Sequence, residues 1–176
     1  MKIAVTGTPG TGKTVVANLL AKSLNFKYID LNALLLKGFK TFYDEDLETW
    51  EVDIDEAAKK LTFCDACVID GHLSHEFEVD TIIILRCDPV ELAMRLAKRS
   101  WKQNKIEENV DAEGLNVISD EVHHLSGKKK HIIEVDTTTN TPEKTVQEIL
   151  EYISKPEKRS PHIDFIEKLP VNLKDI

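Results

Sequence analysis

A chain of 176 residues with 41% hydrophobic and 31% charged content has the size and composition of one soluble globular domain with a sizeable core. Its longest apolar runs, about five residues as in TIIIL, exclude a bilayer span, and the run IAV after Met1 and Lys2 is too short for a secretory signal, so the expected location is cytoplasmic. A net charge of −8 excludes loose nucleic-acid binding through phosphate neutralisation and suits a metal–nucleotide ligand in a local basic pocket, or a basic protein partner.

Along the chain, strand-like and helix-like patterns alternate. Residues 2–6 (KIAVT) read as a buried strand, and residues 13–24 as a helix with Val16, Leu19, Leu20 and Leu24 on one face. FKYID (26–30) is a short strand, and NALLLKG (32–38) a helical piece that Gly38 can stop. Residues 39–53 show no clean period. Residues 53–61 form a helix with Asp53 as a cap. Cys64 and Cys67 make a lone C-x-x-C with no second pair, so they and Cys87 are read as reduced thiols in or near the core, with zinc or redox chemistry the alternative. ACVIDG (66–71) and TIIILR (81–86) are further buried strands. DPVELAMRLAKRSW (88–101) is a strong helix, capped by Asp88 with Pro89 in its first turn.

Residues 105–125 are expected to be helical, weakened by Gly114. HIIEVD (131–136) is the last strand. TPEKTVQEILEYI (141–153) is a helix capped by Thr141 and led by Pro142, with Lys144 where a capping box carries Glu. The tail from Lys155 holds three prolines and mixed charge, and either docks on the body or stays loose. Five strands separated by helices define an α/β fold, a five-stranded parallel sheet with helices on both faces. Ligands of such sheets gather at the carboxyl ends of the strands. Gly7 to Thr14, Asp70 with His72, and Arg86 all lie at such ends.

Gly7-Thr8-Pro9-Gly10-Thr11-Gly12-Lys13-Thr14 fits G-x-x-x-x-G-K-[ST], between a strand and an amphipathic helix. The glycines let successive amide hydrogens face inward, which with the helix N-terminus makes a positive concavity for phosphate. Gly7, Gly10, Thr11, Gly12 and Lys13 are thus candidate nucleotide-binding residues, and the Thr14 hydroxyl is a candidate Mg²⁺ ligand. Asp70 is the best candidate for the second acid near that metal. His72, two residues on, can orient a water or a nucleophile. Arg95 and Arg99 lie four apart on one helix and, with Lys98, Lys102 and Lys105, form the densest basic segment, suited to charge on a transferring phosphoryl group. From Asp44 to Glu56 the chain carries eight acids in thirteen residues around Trp50, a surface for a basic partner. The competing readings are a turn aspartate at Asp70, a surface-loop histidine at His72, and solvated basic and acidic faces for the two charged segments.

GTPGTGKT, VIDGH after the third strand, ILRCDP leading into RLAKRSW, and NTPE before the last helix together resemble the adenylate kinase isoenzyme 6 type family, over roughly residues 1–153. These are small P-loop nucleotide kinases linked to small ribosomal subunit maturation. The resemblance implies an adenylate-kinase-like P-loop NTPase fold, with a kinase domain over 1–153, a monophosphate-binding region over 30–53, a lid over 98–108 and a tail over 154–176. It implies that Gly10, Gly12, Lys13, Thr14 and Val15 contact the ATP phosphates. It makes Asp70 and His72 the metal- and water-positioning pair and Arg99 the lid arginine. The implied activity is ATP·Mg²⁺-dependent phosphorylation of AMP and other monophosphates, with ATP hydrolysis. The implied partners are ribosomal protein uS11 and, transiently, the pre-ribosome.

The sequence departs from ordinary adenylate kinases in three places. Leu36 stands where they carry an arginine, Thr141 at a position resembling a lysine beside the adenine, and His72-Leu73-Ser74 where they carry Phe-Pro-Arg. Lys37 supplies a charge near position 36 without bidentate geometry. Two rival readings follow: an ATP-driven assembly switch with a vestigial acceptor site, and a shikimate-type metabolite kinase, for which the required acceptor arginines are not found.

Overall fold

The computed structural model describes residues 1–45, 49–99, 101–126 and 131–169. Strands β1 (Lys2–Thr6), β2 (Lys27–Asp30), β5 (Cys67–Asp70), β6 (Thr81–Arg86) and β7 (His131–Asp136) form one parallel sheet in the order β2-β5-β1-β6-β7. Strands β3 (Lys40–Asp44) and β4 (Thr49–Val52) make a separate antiparallel pair. The helices are α1 (Lys13–Leu24), α2 (Leu31–Gly38), α3 (Ile54–Lys60), α4 (Pro89–Ala97), α5 (Gln103–Gly114), α6 (Val117–Ser126) and α7 (Pro142–Ser154).

The sheet is apolar on both faces because helices cover both. Alternate residues Ile3, Val5, Val68, Ile83, Leu85, Ile133 and Val135 pack with Val16 and Leu20 of α1 and Val146 and Ile149 of α7. Their neighbours Ala4, Cys67, Ile69, Ile82 and Ile84 pack with Leu31 and Leu35 of α2, Ala57 of α3 and Val122 of α6. Helix starts follow the capping chemistry of the sequence: Asp53 accepts from the Glu56 amide at 2.8 Å, Asp88 from Val90 at 2.9 Å, and Thr141 from Lys144 at 3.4 Å. Asp30 caps α2, so that helix begins at Leu31.

Two expectations are corrected. Residues 39–53, which carry no clean period, hold the β3–β4 hairpin. Thr41, Phe42 and Tyr43 are all exposed, so no buried face imposes an alternation; the pair is joined instead by Tyr43–Trp50 ring packing at 5.2 Å, with the Lys40 ammonium 4.6 Å from the Trp50 ring. Residues 105–125 are two helices rather than one. The break follows Gly114, where a Cβ would overlap the Leu169 side chain, and the chain turns through Asn116 at φ 60. Leu169 belongs to the tail, which therefore docks: Phe165 is buried, and the Ile163 carbonyl accepts from Arg86 Nη1 at 2.7 Å.

Arg86 is a further correction. It closes β6, but only 1% of it is exposed, and it points into the body rather than to a ligand. Its Nε donates to Glu113 Oε1 at 2.8 Å, and Nη2 to Asn116 Oδ1 at 2.6 Å and the Glu113 carbonyl at 2.9 Å. Removing Glu113 leaves this guanidinium buried with one carboxylate oxygen, of Glu134, at 3.6 Å. Glu113→Ala is expected to lower stability by about 3 kcal/mol or more, read as a fall in the urea midpoint; an unchanged midpoint contradicts the assignment.

Candidate active site

The loop from Gly7 to Thr14 joins β1 to α1. Its three glycines take φ values of 135, 101 and 97, a region L side chains rarely adopt, and a Cβ at Gly7 would overlap the Leu85 carbonyl. Gly12 is the N-cap of α1 and brings no side-chain acceptor, so the first-turn amides of the helix are left for a ligand. The loop is braced from outside. Thr8 donates to buried Glu113, Thr11 Oγ1 donates to the Thr8 carbonyl at 2.9 Å, and the Thr137 hydroxyl lies 2.9 Å from the Thr11 carbonyl.

Lys13 folds over this loop, its Nζ 3.0 Å from the Thr8 carbonyl. Burial pulls its ammonium down to about 8, against the opposing pull of Asp70 and Glu113 and with a smaller push from Arg99. Asp70 reaches the same place because β5 pairs with β1 and sets Asp70 opposite Val5. Its carboxylate is buried, with Oδ2 accepting from the Tyr28 hydroxyl at 2.8 Å. Burial, then the Asp70 carboxylate, push the Tyr28 phenol above its ordinary range, which keeps it a donor.

His72 follows on a loop pinned by Thr6, whose hydroxyl donates to the His72 carbonyl at 2.7 Å. Burial, then the Lys13 and His75 charges, pull the His72 imidazole down to about 4, so the ring is neutral. His75 is more deeply buried, with Nδ1 3.0 Å from Thr6 Oγ1.

These groups surround one cavity of about 720 Å³. Gly10, Gly12, Lys13, Thr14, Val15, Asp70, His72 and Arg99 line it, with Trp101 just before α5 and Lys105 in its first turn. Gly7 and Thr11 lie behind the lining and shape the loop from within. The structure separates the two arginines that the sequence placed together. Arg99, past the end of α4, faces the cavity. Arg95 does not: its Nη2 donates to the carbonyls of Thr137 and Thr138 at 2.8 and 2.9 Å, and its Nε to Glu91 at 2.8 Å. Arg95 thus holds the loop whose Thr137 hydroxyl abuts Thr11, and it is not among the residues that line the cavity. Among the oxygen groups on the cavity, which include Asp30, Glu108 and Glu121, the exposed Thr14 hydroxyl and Asp70 are those at the phosphate loop and at the end of the neighbouring strand, and both suit a hard divalent cation.

Sequence reasoning missed four contributors. Tyr28 reads only as part of a strand, and Trp101 as part of a helix and of the expected lid with no role of its own. Glu113 carried no motif, and its signal is a carboxylate beside the helix-breaking Gly114. Thr137 had no signal beyond its place just after a strand.

A parallel sheet with this loop after its first strand and an acid at the end of the neighbouring one defines a P-loop kinase fold. The AAA domain family (AAA_18) matches residues 3–116. A Pyrococcus furiosus protein named "Putative adenylate kinase" is 44% identical over 90% of this chain and 87% of its own length, and one of Methanocaldococcus jannaschii with the same name is 36% identical over 96% and 94%. Among solved structures, a deoxyadenosine kinase of M. mycoides with dCMP and dCDP superposes with a TM-score of 0.62 at 17% identity, covering 89% of this chain and 100% of that one. Shikimate kinase of Acinetobacter baumannii gives 0.60 at 18%, covering 90% and 95%. The chain belongs to the adenylate kinase family of these archaeal relatives.

The lowered Lys13 ammonium gives a signed prediction. In the free protein Lys13 loses its proton near pH 8, and a bound polyphosphate favours the charged form, so the bound value rises. Binding of the Mg²⁺ complex of ATP, whose terminal phosphate is already ionised, should take up a fraction of a proton at pH 8.5, and the uptake should vanish toward pH 6.5, where Lys13 is already charged. Above pH 8 affinity should fall, by at most about tenfold per pH unit. Calorimetry in buffers of different ionisation enthalpy measures the uptake directly.

Proposed function

We propose that the protein is a cytoplasmic, ATP·Mg²⁺-dependent nucleoside monophosphate kinase, converting ATP and AMP to two ADP with a broad acceptor range, and hydrolysing ATP as a second activity. The observation that carries this reading is the meeting of Lys13 and the α1 N-terminus, buried Asp70, neutral His72 and Arg99 around a single cavity. The names of the archaeal relatives support the same reading. It takes 1–153 as the kinase domain, 30–53 as the acceptor region, 98–108 as the lid and 154–176 as the tail.

In this mechanism the amides from Gly10 to Val15 hold the β- and γ-phosphates, Lys13 adds charge at the outer ones, and Arg99 covers them. Thr14 and Asp70 would hold Mg²⁺, which neutralises charge that develops on the phosphate oxygens. The acceptor phosphate attacks in line, and no covalent enzyme intermediate is needed. In hydrolysis a water takes the acceptor's place and donates a hydrogen bond to the neutral His72 imidazole.

One observation favours the alternative, an ATPase switch in small-subunit assembly that binds basic uS11 and has little kinase activity. Leu36, where ordinary adenylate kinases carry an arginine, is 41% exposed, and the cavity residues at the start of α2 are Asp30 and Asn32, which bring no cation for an acceptor phosphate. The exposed Phe42 and Trp50 on the acidic hairpin add a surface for such a partner; residues 46–48 of its turn lie outside the described residues.

Steady-state ADP formation with and without AMP separates the readings. AMP should accelerate it several-fold; equal rates leave the switch. His72→Ala should slow hydrolysis about a hundredfold while the ATP dissociation constant stays within about threefold of the starting protein. An unchanged hydrolysis rate removes His72 from the mechanism.

A further inference from the structure

Helix α6, strand β7 and the tail converge on a second group of donors, built on other residues than those of the cavity. Glu134 is buried on β7, its side chain 3% exposed. Its Oε1 lies 3.0 Å from His123 Nε2 of α6, 3.2 Å from His162 Nδ1 of the tail, and 2.9 Å from the Ser119 hydroxyl. Three donors thus crowd one oxygen that has about two lone-pair sites. The other oxygen, Oε2, accepts from the Ile163 amide at 3.0 Å and faces Arg86 at 3.6 Å, whose nearer carboxylate partner is Glu113. The carboxylate is held ionised: burial works to raise its affinity for a proton, but the donors from Ile163, His123, Ser119 and His162 outweigh it and keep it below the usual range.

The ligand atoms of His123, Glu134 and His162 all lie within 4.8 Å of one another. Around a tetrahedral zinc ion, with bonds of about 2.0–2.2 Å, neighbouring ligand atoms stand about 3.3 Å apart. The two imidazole–carboxylate separations, 3.0 and 3.2 Å, already have that spacing. We propose that His123 Nε2, Glu134 Oε1 and His162 Nδ1 form a Zn²⁺ site that fastens the C-terminal tail to the edge of the sheet.

Two imidazoles and one carboxylate suit zinc over magnesium or calcium, which prefer an oxygen-only set such as Thr14 and Asp70. Each neutral imidazole presents a lone pair to the ion by carrying its proton on the other ring nitrogen, so the change is a tautomer shift without net proton loss. The Ser119 hydroxyl and Ile163 amide orient the carboxylate from outside the ligand set. Because the histidines are 47% and 55% exposed, a fourth position is reachable by water. The three ligands come from three segments, so a bound ion would cross-link α6, β7 and residues 160–165.

The full chain is stripped with EDTA and titrated with Co²⁺ and then with Zn²⁺. One equivalent of Co²⁺ should develop the intense visible absorption of a low-coordinate site, and Zn²⁺ should bleach it. His123→Ala and His162→Ala should each weaken Zn²⁺ binding about a hundredfold or more, and Ser119→Ala about tenfold. Cys64→Ser and Asp70→Asn should leave it unchanged, which separates this site from the C-x-x-C and from the nucleotide site. Zn²⁺ should also slow hydrogen exchange over residues 160–165 in the starting protein and not in His162→Ala. Equal Zn²⁺ affinity in the starting protein and both histidine variants, loss of binding in Cys64→Ser, or no saturable binding at all overturns the proposal.

Discussion

The buried Glu113 carboxylate is the contact on which the rest of the structure hangs. One oxygen accepts from Arg86 and from the Cys87 amide, and the other from Thr8 in the phosphate loop. Glu113 stands near the end of α5, the helix whose beginning supplies Lys105 to the cavity. Arg86 in turn reaches Asn116 at the start of the next helix and Ile163 in the tail. One charge pair, removed from water, therefore sets the relative placement of the glycine loop, the C-terminal end of the sheet, the segment over the cavity and the tail. Such a pair stabilises little in net terms against an apolar replacement, but it tolerates neither partner's loss and so enforces one arrangement.

Around that pair the cavity divides its charges by burial. Lys13 and Asp70 sit beside the loop, where the Asp70 carboxylate opposes the loss of the Lys13 proton that burial favours. Arg99 lines the same cavity and is exposed. The buried carboxylate thus lies beside the loop, and the exposed cation comes from the chain just past α4. Arg95, one turn earlier and still within α4, donates instead to the backbone carbonyls of Thr137 and Thr138.

Much of this was legible in the sequence because it is local. The glycine loop is contiguous, each of its positions has a distinct physical reason, and a strand and a helix flank it. Asp70 was legible because a strand end places its side chain, and Asp53, Asp88 and Thr141 because a cap and the amide it serves lie within a few residues. What stayed hidden is tertiary. Helical spacing places Arg95 and Arg99 on one face but does not say which of them meets the 137–138 loop. Arg86 at a strand end looks like a ligand contact until its carboxylate partner, 27 residues on, is in view. The hairpin has no inward face, so its strands leave no alternation to read. The tail's docking depends on Gly114 leaving room for Leu169, a fit between residues far apart in the chain.

The β3–β4 hairpin and its flanking helices enter the chain between β2 and β5, which lie side by side at one edge of the sheet. That insertion begins and ends at adjacent anchor points, while the phosphate loop hangs from β1 and is braced from β6, β7 and α5. On the proposed reading, the part that chooses the acceptor or partner is a cassette. Evolution can lengthen it, recolour it with acid or strip its arginines while the grip on the triphosphate stays as it was. On that reading, changes confined to one insertion alter what is held opposite the nucleotide without touching the turns that grip it.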